Sequence, residues 1–514
     1  MWKKVLITTP IYYVNWTPHI WHVYSSLIAD TLARFNRSLW NDVKFSTWVD
    51  ENSQKTVQKA QELWKDVYEY LDEMAQIHQS TWDKYKISYT DFIRTSSKKH
   101  KKVVQMILQK TYKNWYIYKS KYSGLYCNWC EAFKKNDELI EKDWELVCPD
   151  HLKPCEYINE ENYFFKLTNF ESFLNNFYKD NNGFIVPSWR FNEVKSFVNQ
   201  WLEDFSISRE NANFWIPFPF DKKHIVYVWY DALFNYYTVT LDDKLNQLWY
   251  FSDNIYHVIW KDISKFHAIY WPSMLEAVSL PKPKKIFVTG FFNVNWQKMS
   301  KSLWNVIDPI ELVNKYWRDA ITLYLFFDIR IWKDWDFSFE RLEDLYKNIL
   351  IWWRWNLVYR ISKLSQKYKI DIWKFYHIEN IENILEHKFI KSILNKNFEN
   401  IMQDIVETAD FQTYLKYWYE LIQLTNKLIQ DTQPWLIYKT NKEYATKILM
   451  TSIWLINKIN LLWSFFFIDW FKKVTNIFDF NYIDNSKNFK WFFNELYKTE
   501  LKILINPWIL YEKL

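Results

Sequence analysis

The chain has 514 residues, a formal net charge of +6 and four cysteines, all between Cys127 and Cys155. This length suits two to four packed domains, and so few cysteines exclude a disulfide-stabilised scaffold. The mild basic excess permits a nucleic-acid partner without requiring one. Since no signal peptide and no uninterrupted apolar span of about 20 residues are apparent, we expect a cytoplasmic protein that does not enter a membrane.

Glycine and tryptophan occur in unusual proportions. The chain contains 3 Gly and 33 Trp, whereas glycine makes up about 7% of ordinary globular chains. A chain of this length needs glycine at helix C-termini and in turns with positive φ, where another residue costs about 1 kcal/mol or more. We therefore hypothesise that most of these tryptophans are glycines in the cell, encoded by UGA codons reassigned to glycine. UGG codons at most of the positions would exclude this hypothesis.

The first predicted elements are a strand, a loop and a helix. The β-branched run "KKVLITTP" predicts a buried strand, and Tyr24, Leu27, Ile28, Leu32 and Phe35 follow at helical spacing. In such units the loop carries ligand chemistry, and its backbone usually needs glycine to approach a phosphate or a purine. Here the corresponding stretch, "NWTPHIWHVY", carries two tryptophans instead.

Further strand-like runs, "HIVYVWYDAL", "IYHVIW" and "KKIFVTG", lie between residues 224 and 290, and long amphipathic segments dominate from about residue 340. The alternation predicts an α/β fold with a parallel sheet, interrupted by an insertion and followed by an all-α bundle. We expect the first half of the sheet domain in residues 1–111, the insertion in 112–220, the second half in 221–340 and the helical domain in 341–514, packed directly on one another.

Two short motifs suggest a polyphosphate site. "HIWH" places His19 and His22 at the start of the first helix, where the helix dipole favours an anion. "KMSKS" places Lys298 and Lys301 in a loop that follows the last predicted strand. Each motif alone is more often an ordinary surface feature. Together they put cations at both ends of a triphosphate, at the carboxyl edge of a parallel sheet.

The cysteines form a metal-binding pattern. Cys127, Cys130, Cys148 and His151 give the spacing C-x2-C-x17-C-x2-H, which is typical of a structural zinc knuckle. Cys155 is an alternative to His151 as the fourth ligand. We expect a closed tetrahedral site with no position open for catalysis.

The stretches "TTPIYYVNWTPHIWHVYSSLIAD", "YVWYDAL", "WKDISKFHAIYWP" and "GFFNVNWQKMSKSLWN" resemble the class I aminoacyl-tRNA synthetases, specifically the methionyl-tRNA synthetase family. The resemblance covers nearly the whole chain. Tryptophan stands at eight positions where this family has glycine: Trp16, Trp21, Trp48, Trp115, Trp129, Trp260, Trp296 and Trp304. It is retained at four positions where the family has tryptophan: Trp82, Trp229, Trp271 and Trp435.

The resemblance implies a class I nucleotide-binding sheet with a zinc-knuckle insertion and an anticodon-binding bundle. It also implies a methionine–tRNA ligase that forms methionyl adenylate from methionine and ATP with Mg²⁺ and transfers the methionyl group to tRNA(Met). His19, His22, Lys298 and Lys301 would be catalytic and would bind ATP together with Asp262. No appended tRNA-binding domain is apparent, and we expect a monomer.

The remaining residues that the resemblance implies fall into two groups. The methionine site would contain Ile11, Tyr13, Asp50, Trp229, Ala232, Tyr236, Phe266 and His267. The anticodon would contact Asn356, Arg360 and Trp435. At Asp50, the proposed acceptor of the α-ammonium group, this chain departs from the family's common "DEHG" and has Asn52 and Ser53 in place of its last two residues.

Two other functions are compatible with the sequence. One is a class I synthetase for another aliphatic amino acid such as leucine, isoleucine or valine, although the chain is too short for a large hydrolytic editing insertion. The other is an inactive RNA-binding paralogue, which would be favoured if the tryptophans are real, because an indole at Trp21 would overlap the adenine site.

Overall fold

The computed structural model describes residues 3–10, 12–127, 132–134, 139–142, 145–149, 153–210, 216–248, 250–252, 254–294, 297–299, 306–370 and 398–478. Its strands, in chain order, are β1 (Lys4–Thr8), β2 (Asp42–Val49), β3 (Asp91–Arg94), β4 (Ile117–Cys127), β5 (Ala132–Lys134), β6 (Ile140–Lys142), β7 (Glu145–Cys148), β8 (Lys153–Pro154), β9 (Glu156–Phe165), β10 (Ile185–Val186), β11 (Phe205–Ser206), β12 (Ser208–Glu210), β13 (His224–Val226), β14 (Ile255–Trp260), β15 (Lys285–Thr289), β16 (Phe292–Val294), β17 (Gln297–Lys298) and β18 (Trp335–Phe337).

The first thirteen described helices are α1 (Ile20–Ser38), α2 (Gln54–Glu62), α3 (Val67–Lys84), α4 (Lys98–Lys113), α5 (Glu171–Asp180), α6 (Ser188–Trp201), α7 (Val228–Leu233), α8 (Asn235–Thr238), α9 (Trp271–Ala277), α10 (Pro309–Tyr316), α11 (Arg318–Leu323), α12 (Phe339–Leu345) and α13 (Asn356–Lys367). Five more follow: Phe398–Thr408, Phe411–Thr432, Pro434–Thr440, Lys442–Trp463 and Ile468–Phe478. Tighter or wider helical turns occupy Leu167–Phe170, Lys261–Ile263, Phe266–Tyr270, Tyr324–Asp328 and Tyr346–Trp355.

A six-stranded parallel sheet forms the centre of the fold, in the order β10-β15-β14-β1-β2-β3. The strands predicted from "KKVLITTP", "IYHVIW" and "KKIFVTG" are confirmed as β1, β14 and β15. After β1 the chain builds outward through β2 and β3, and it later returns to the other side of β1 with β14. The strand order therefore reverses between β1 and β14, where open parallel sheets form a crevice for ligands.

Two segments differ from the expected strand pattern. In "HIVYVWYDAL" only His224–Val226 is a strand, and it pairs antiparallel with β12; Val228–Leu233 is helix α7. Strand β10, inside the segment expected to be an insertion, pairs in parallel with β15 at the edge of the central sheet. Two residues are too few to give a recognisable alternation, which is why the sequence pattern does not reveal β10.

The rest of the segment between α4 and α7 is largely antiparallel. Strands β11, β9, β4 and β5 form one sheet in that order, and β6, β7 and β8 form another. The predicted strand at "ENYFFKL" is confirmed within β9, which pairs along β4 from Ile117 to Tyr126.

The two faces of the central sheet bury two hydrophobic cores. Val5 and Ile7 of β1 belong to one core, whereas Leu6 between them belongs to the other, as alternating side chains require. The first core continues through α1 into the C-terminal helices, and Phe35 stacks on Phe465 with ring centroids 4.4 Å apart. The helical region therefore packs directly on the α/β domain, as expected.

Within the described part of the chain, no helix combines the length and apolar character needed to cross a membrane.

Candidate active site

His19 and His22 lie together at the N-terminus of α1, directly after the loop that leaves β1. His19 is the N-cap residue, and its backbone N–H donates to Nδ1 of His22 over 3.1 Å. The two ring centroids are 3.9 Å apart. Because Nδ1 of His22 accepts this bond, a neutral His22 carries its proton on Nε2. The helix dipole and two imidazoles therefore meet at one point beside the crevice.

Two tryptophans fill the space next to these histidines. The rings of Trp21 and Trp260 stack with centroids 4.7 Å apart, and Phe291 meets Trp21 edge-on at 5.4 Å. Trp21 is buried, and neither indole N–H has an acceptor among the described residues. Trp260 ends β14, and Trp21 lies in the first turn of α1, the helix that follows β1. The stack therefore lies where the strand order reverses.

The lysine motif follows β15 through a short hairpin. Lys298 of β17 is paired with Asn293 of β16 through the backbone, but its side chain is outside the described part of the structure, as is Lys301 entirely. Asp262 is exposed at the turn that follows β14. The structure thus places the lysine segment and Asp262 after neighbouring strands of the sheet.

Three aromatic residues of the expected methionine site are in contact. Trp229 of α7 stacks face-to-face on Phe266, with ring centroids 3.9 Å apart and planes inclined by 5°. Tyr13 meets Trp229 edge-on at 6.3 Å. These rings form one apolar wall from the β1 loop, α7 and the turn after β14, which suits an uncharged thioether.

A second group in the same region is polar but uncharged. The hydroxyl of Tyr236 lies 2.8 Å from Nε2 of His267, whose Nδ1 lies 3.1 Å from the carbonyl oxygen of Ile263. Burial lowers the pKa of His267 to about 4, so the ring is neutral near pH 7. The ring then donates a hydrogen bond through Nδ1 and accepts one from the tyrosine hydroxyl at Nε2. Ala232 of α7 is fully buried, whereas Ile11 lies outside the described residues.

Asp50 directly follows β2 and is completely buried. Its Oδ1 accepts bonds from the backbone N–H of Asn52 (3.2 Å) and the hydroxyl of Thr95 (3.3 Å). Its backbone N–H donates to the carbonyl oxygen of Tyr12 over 2.8 Å. The carboxylate is therefore fixed beside the β1 loop that also carries Tyr13.

Of the predicted zinc ligands, Cys127 and Cys148 are described, and Cys130 and His151 lie outside the described residues. Cys127 ends β4 and Cys148 ends β7, and both side chains are completely buried. Cys155, the alternative fourth ligand, is partly exposed. No group of three or more potential ligands occurs among the residues that the structure describes.

In the helical region the structure brings two predicted anticodon residues together. The guanidinium carbon of Arg360 lies 5.6 Å from the ring centroid of Trp435, within the range of a cation–π contact. Asn356 lies four residues before Arg360 on α13, on the same helix face. All three side chains are partly exposed, so this face can meet an unpaired base.

Comparisons with known proteins identify the family. Residues 5–362 match the family model described as tRNA synthetases class I (M). A methionine–tRNA ligase of Thermotoga maritima is 37% identical over 464 residues, covering 89% of this chain and 72% of that protein. One of a Nostoc species is 36% identical, covering 88% of this chain and 85% of its own length. The chain belongs to the methionyl-tRNA synthetase family.

The three-dimensional structure agrees with this membership. The methionyl-tRNA synthetase of Mycobacterium tuberculosis, solved in complex with methionyl-adenylate, superimposes with a TM-score of 0.89 at 25% identity, covering 98% of both chains. The chain is therefore an aminoacyl-tRNA ligase that joins methionine to tRNA. The alternative, a synthetase for leucine, isoleucine or valine, is not supported, because these relatives are methionine enzymes.

The structure adds site contacts that the sequence did not predict. The hydroxyl of Tyr12 lies 2.9 Å from both Ser25 and Ser26 of α1, while its backbone bonds to Asp50. Tyr12 therefore connects the synthetase's histidine pair with its buried carboxylate. Asn52 and Asp231 are also bonded although 179 residues separate them. Asp231 stands inside the quoted motif "YVWYDAL", but only the fold shows its partner.

Proposed function

We propose that methionine and ATP bind side by side at the carboxyl edge of the central sheet. The methionine carboxylate attacks the α-phosphorus, pyrophosphate leaves, and the terminal ribose of tRNA(Met) then takes the methionyl group and releases AMP. The observation that carries this proposal is the Tyr12 connection, which fixes the histidine pair and Asp50 to the same loop. Charge builds on the phosphoryl oxygens during the first step, and preorganised donors are most effective there.

The residues proposed to bind ATP have distinct roles. His19 and His22 donate to the phosphates at the N-terminus of α1, where the helix dipole favours an anion. Lys298 and Lys301 offset the charge of the departing pyrophosphate, and Asp262 faces the adenosine ribose or the substrate. Mg²⁺ would enter with ATP as a counter-ion of its phosphates.

The residues of the proposed methionine-binding site contact the two ends of the substrate differently. Asp50 accepts from the α-ammonium group. Tyr13, Trp229 and Phe266, together with Ala232, Tyr236, His267 and Ile11, enclose the thioether. Neutral His267 and its bond to Tyr236 keep charge away from the sulfur, which favours methionine over polar side chains of similar length.

We also propose that the insertion binds a structural zinc ion through Cys127, Cys130, Cys148 and His151. The donor set fits zinc, because thiolate and imidazole are its preferred ligands, and complete burial of Cys127 and Cys148 suits a closed site. The ion would hold the turns after β4 and β7 together. We also propose that the domains end at residues 111, 220 and 340, as expected from the sequence.

The helical region is proposed to read the anticodon of tRNA(Met). Support comes from the contact between Arg360 and Trp435 and from Asn356 on the same face. A ring, a guanidinium group and an amide can together stack on an unpaired base and bond to its edge. We propose further that the enzyme acts as a monomer in the cytoplasm.

The recoding of tryptophan as glycine is supported by backbone geometry. Trp40, Trp64 and Trp115 have φ of 69°, 55° and 65°. Each follows a helix and ends it with the same two backbone hydrogen bonds. At Trp40, its own N–H donates to the carbonyl oxygen of Arg37, and the N–H of Asn41 donates to the carbonyl oxygen of Asn36. Glycine normally occupies this position, because its lack of a Cβ permits positive φ.

Trp317 is more unusual, because its φ of 67° and ψ of 154° lie in a region that is essentially restricted to glycine. Exposure adds to the argument, since 96% of Trp64 and 81% of Trp115 is exposed. Indoles at these two positions gain little packing in return for backbone strain. We therefore infer that Trp40, Trp64 and Trp317 join the family-glycine positions as glycines in the cell.

The decisive experiment compares two versions of the chain in methionine-dependent pyrophosphate exchange. The version with glycine at the family-glycine positions and at Trp40, Trp64 and Trp317 should bind ATP and exchange pyrophosphate. The version as printed should fail, because the Trp21–Trp260 stack occupies about the volume that adenine needs. In the working version, Trp229→Gly should weaken methionine binding by removing an aromatic wall.

Two results would contradict this proposal. Full activity of the printed chain would overturn the recoding. An inactive glycine version that still binds RNA would favour the inactive paralogue. Sequencing the codons gives an independent answer, since UGA is expected at Trp21 and UGG at Trp229.

A further inference from the structure

Asn52 stands at the centre of a buried polar cluster beside Asp50. The side chains of Asp50, Asn52, Thr95 and Asp231 are all completely buried. The amide nitrogen of Asn52 lies 3.0 Å from Oδ2 of Asp231 and 3.3 Å from the carbonyl oxygen of Thr95. Its backbone N–H donates to Oδ1 of Asp50. One neutral residue therefore donates to two buried carboxylates.

These contacts connect two elements of the proposed methionine site. Asp50 directly follows β2, whereas Asp231 lies in α7 between Trp229 and Ala232. The amide of Asn52 spans the gap, so the end of β2 cannot shift relative to α7 without breaking a buried hydrogen bond. Such a bond is costly to lose, because the released groups cannot reach water.

The chemistry of Asn52 differs from that of its neighbour Glu51. Glu51 is held by Arg94 over 2.7 Å and by Ser96, which gives its charge local partners. Asn52 offers Asp50 and Asp231 hydrogen bonds without a positive charge. The amide oxygen of Asn52 has no donor among the described residues, so it adds a further buried acceptor next to Asp50.

We propose that Asn52 is a positioning residue for the α-ammonium group of methionine. Its side-chain bonds to Asp231 and Thr95 hold in place the backbone N–H that donates to Asp50. Asp50 is thus oriented by an uncharged donor, and the negative potential at this carboxylate remains for the substrate. The inference rests on the proposed role of Asp50. Its consequence is that Asn52 controls the affinity for ligands that carry an ammonium group, and not the affinity for the thioether chain.

The test measures ligand binding by calorimetry without ATP, so that it needs no catalytic activity. Three probes are used: methionine, methioninol, which keeps the ammonium group, and 4-(methylthio)butanoate, which lacks it. Asn52→Ala should weaken methionine and methioninol by about tenfold or more and 4-(methylthio)butanoate by less than about twofold. Asn52→His retains an N–H donor and should bind all three probes much as the parent does.

Asn235→Ala is the matched control, because Asn235 is equally buried and its amide donates to the carbonyl oxygen of Ala232 in the pocket wall. It should affect all three probes alike. The proposal would be overturned if Asn52→Ala weakened all three probes equally or left methionine affinity unchanged. It would also be overturned if Asn52→His lost affinity for methionine. If the glycine version without further substitutions binds none of the probes, the proposed methionine site itself is overturned.

Discussion

At the scale of single residues, two tryptophans have opposite environments. Trp64 has positive φ and is almost fully exposed, whereas Trp82 is completely buried in α3. Trp82 packs 5.6 Å from the ring of Tyr12. Tryptophan therefore strains the backbone at Trp64, whereas at Trp82 it is part of the hydrophobic core.

Trp64 and Trp82 should respond oppositely to substitution by glycine. Trp64→Gly should raise the free energy of unfolding by about 1 kcal/mol, since it relieves positive φ and removes little packing. Trp82→Gly should lower it by about 3 kcal/mol or more, since it leaves a large cavity. Urea titration of each single variant measures both changes. A loss of stability in Trp64→Gly would argue against glycine at that position.

His100 gives a pH dependence that can be tested away from the active site. It is completely buried, with Nδ1 2.9 Å from the hydroxyl of Thr238, and burial lowers its pKa to about 3. The unfolded chain takes up a proton near pH 6.5 while the folded chain does not. Folded stability is therefore retained above pH 6.5 and lost as the pH falls from there toward 3.

His100→Gln should reduce this dependence. Below about pH 6 the slope of the unfolding free energy against pH should fall by about 1.4 kcal/mol per unit, which is the contribution of one proton. Urea titrations of both proteins at several pH values between 4 and 7 measure it. His267 has a similar environment and continues to contribute in the variant, so a residual slope is expected. An identical slope in both proteins would show that His100 titrates normally when folded.

At the scale of elements, the lysine segment after β15 and the start of α1 serve the same proposed polyphosphate. Lys301→Ala should lower pyrophosphate exchange by about two orders of magnitude or more while leaving methionine affinity nearly intact. The charge that this lysine meets develops mainly in the transition state. Exchange kinetics and methionine binding are measured on the glycine version, with Lys65→Ala as an exposed control. Unchanged exchange would exclude the role.

The antiparallel insertion is the second element with a specific prediction. Metal analysis should find one zinc ion per chain, and Cys127→Ala should lose it together with local folding, because ligand loss removes binding energy that is also folding energy. Cys155→Ala should retain the zinc if His151 is the fourth ligand. A zinc-free protein with normal activity would contradict the assignment.

At the scale of the whole molecule, Arg318 joins three parts of the fold. Its guanidinium group is buried and donates to the carbonyl oxygens of Tyr85 (2.7 Å), after α3, and of Phe466, between the last two described helices. It also pairs with Asp30 of α1 and with Asp319, each over 3.3 Å. Despite burial, the arginines around Asp30 lower the pKa of its carboxyl group. The helical region is thus tied to the helix that carries the histidines.

Arg318→Leu should lower the free energy of unfolding by about 3–5 kcal/mol, because Asp319 would remain buried without its cation and Asp30 would keep only Arg34 as a partner. The double variant with Asp30→Asn should lose less than the sum of the two single changes. Arg341→Leu is the control, since Arg341 forms exposed pairs with Asp328 and Asp344 and should cost about 1 kcal/mol or less. Additive losses would show that Arg318 and Asp30 act independently.

The sequence predicted what local patterns determine. Strands β1, β14 and β15 and helix α1 have long runs of the right period, and their order places the ligand crevice. Strand β10 is too short to show a pattern, and the bond between Asn52 and Asp231 depends on long-range packing that no motif encodes. Arg318 was missed because charged residues are normally exposed, and only the assembled fold shows its four partners.

The stack of Trp21 on Trp260 has a consequence for transfer of the gene between organisms, if both residues are encoded by UGA read as glycine. A recipient that reads UGA as stop would make only fragments of this enzyme. A recipient that reads UGA as tryptophan would make the full chain, but with its own indoles in place of the nucleotide. If the recoding holds, a recipient cell could therefore use this gene only if it also carried a tRNA that reads UGA as glycine.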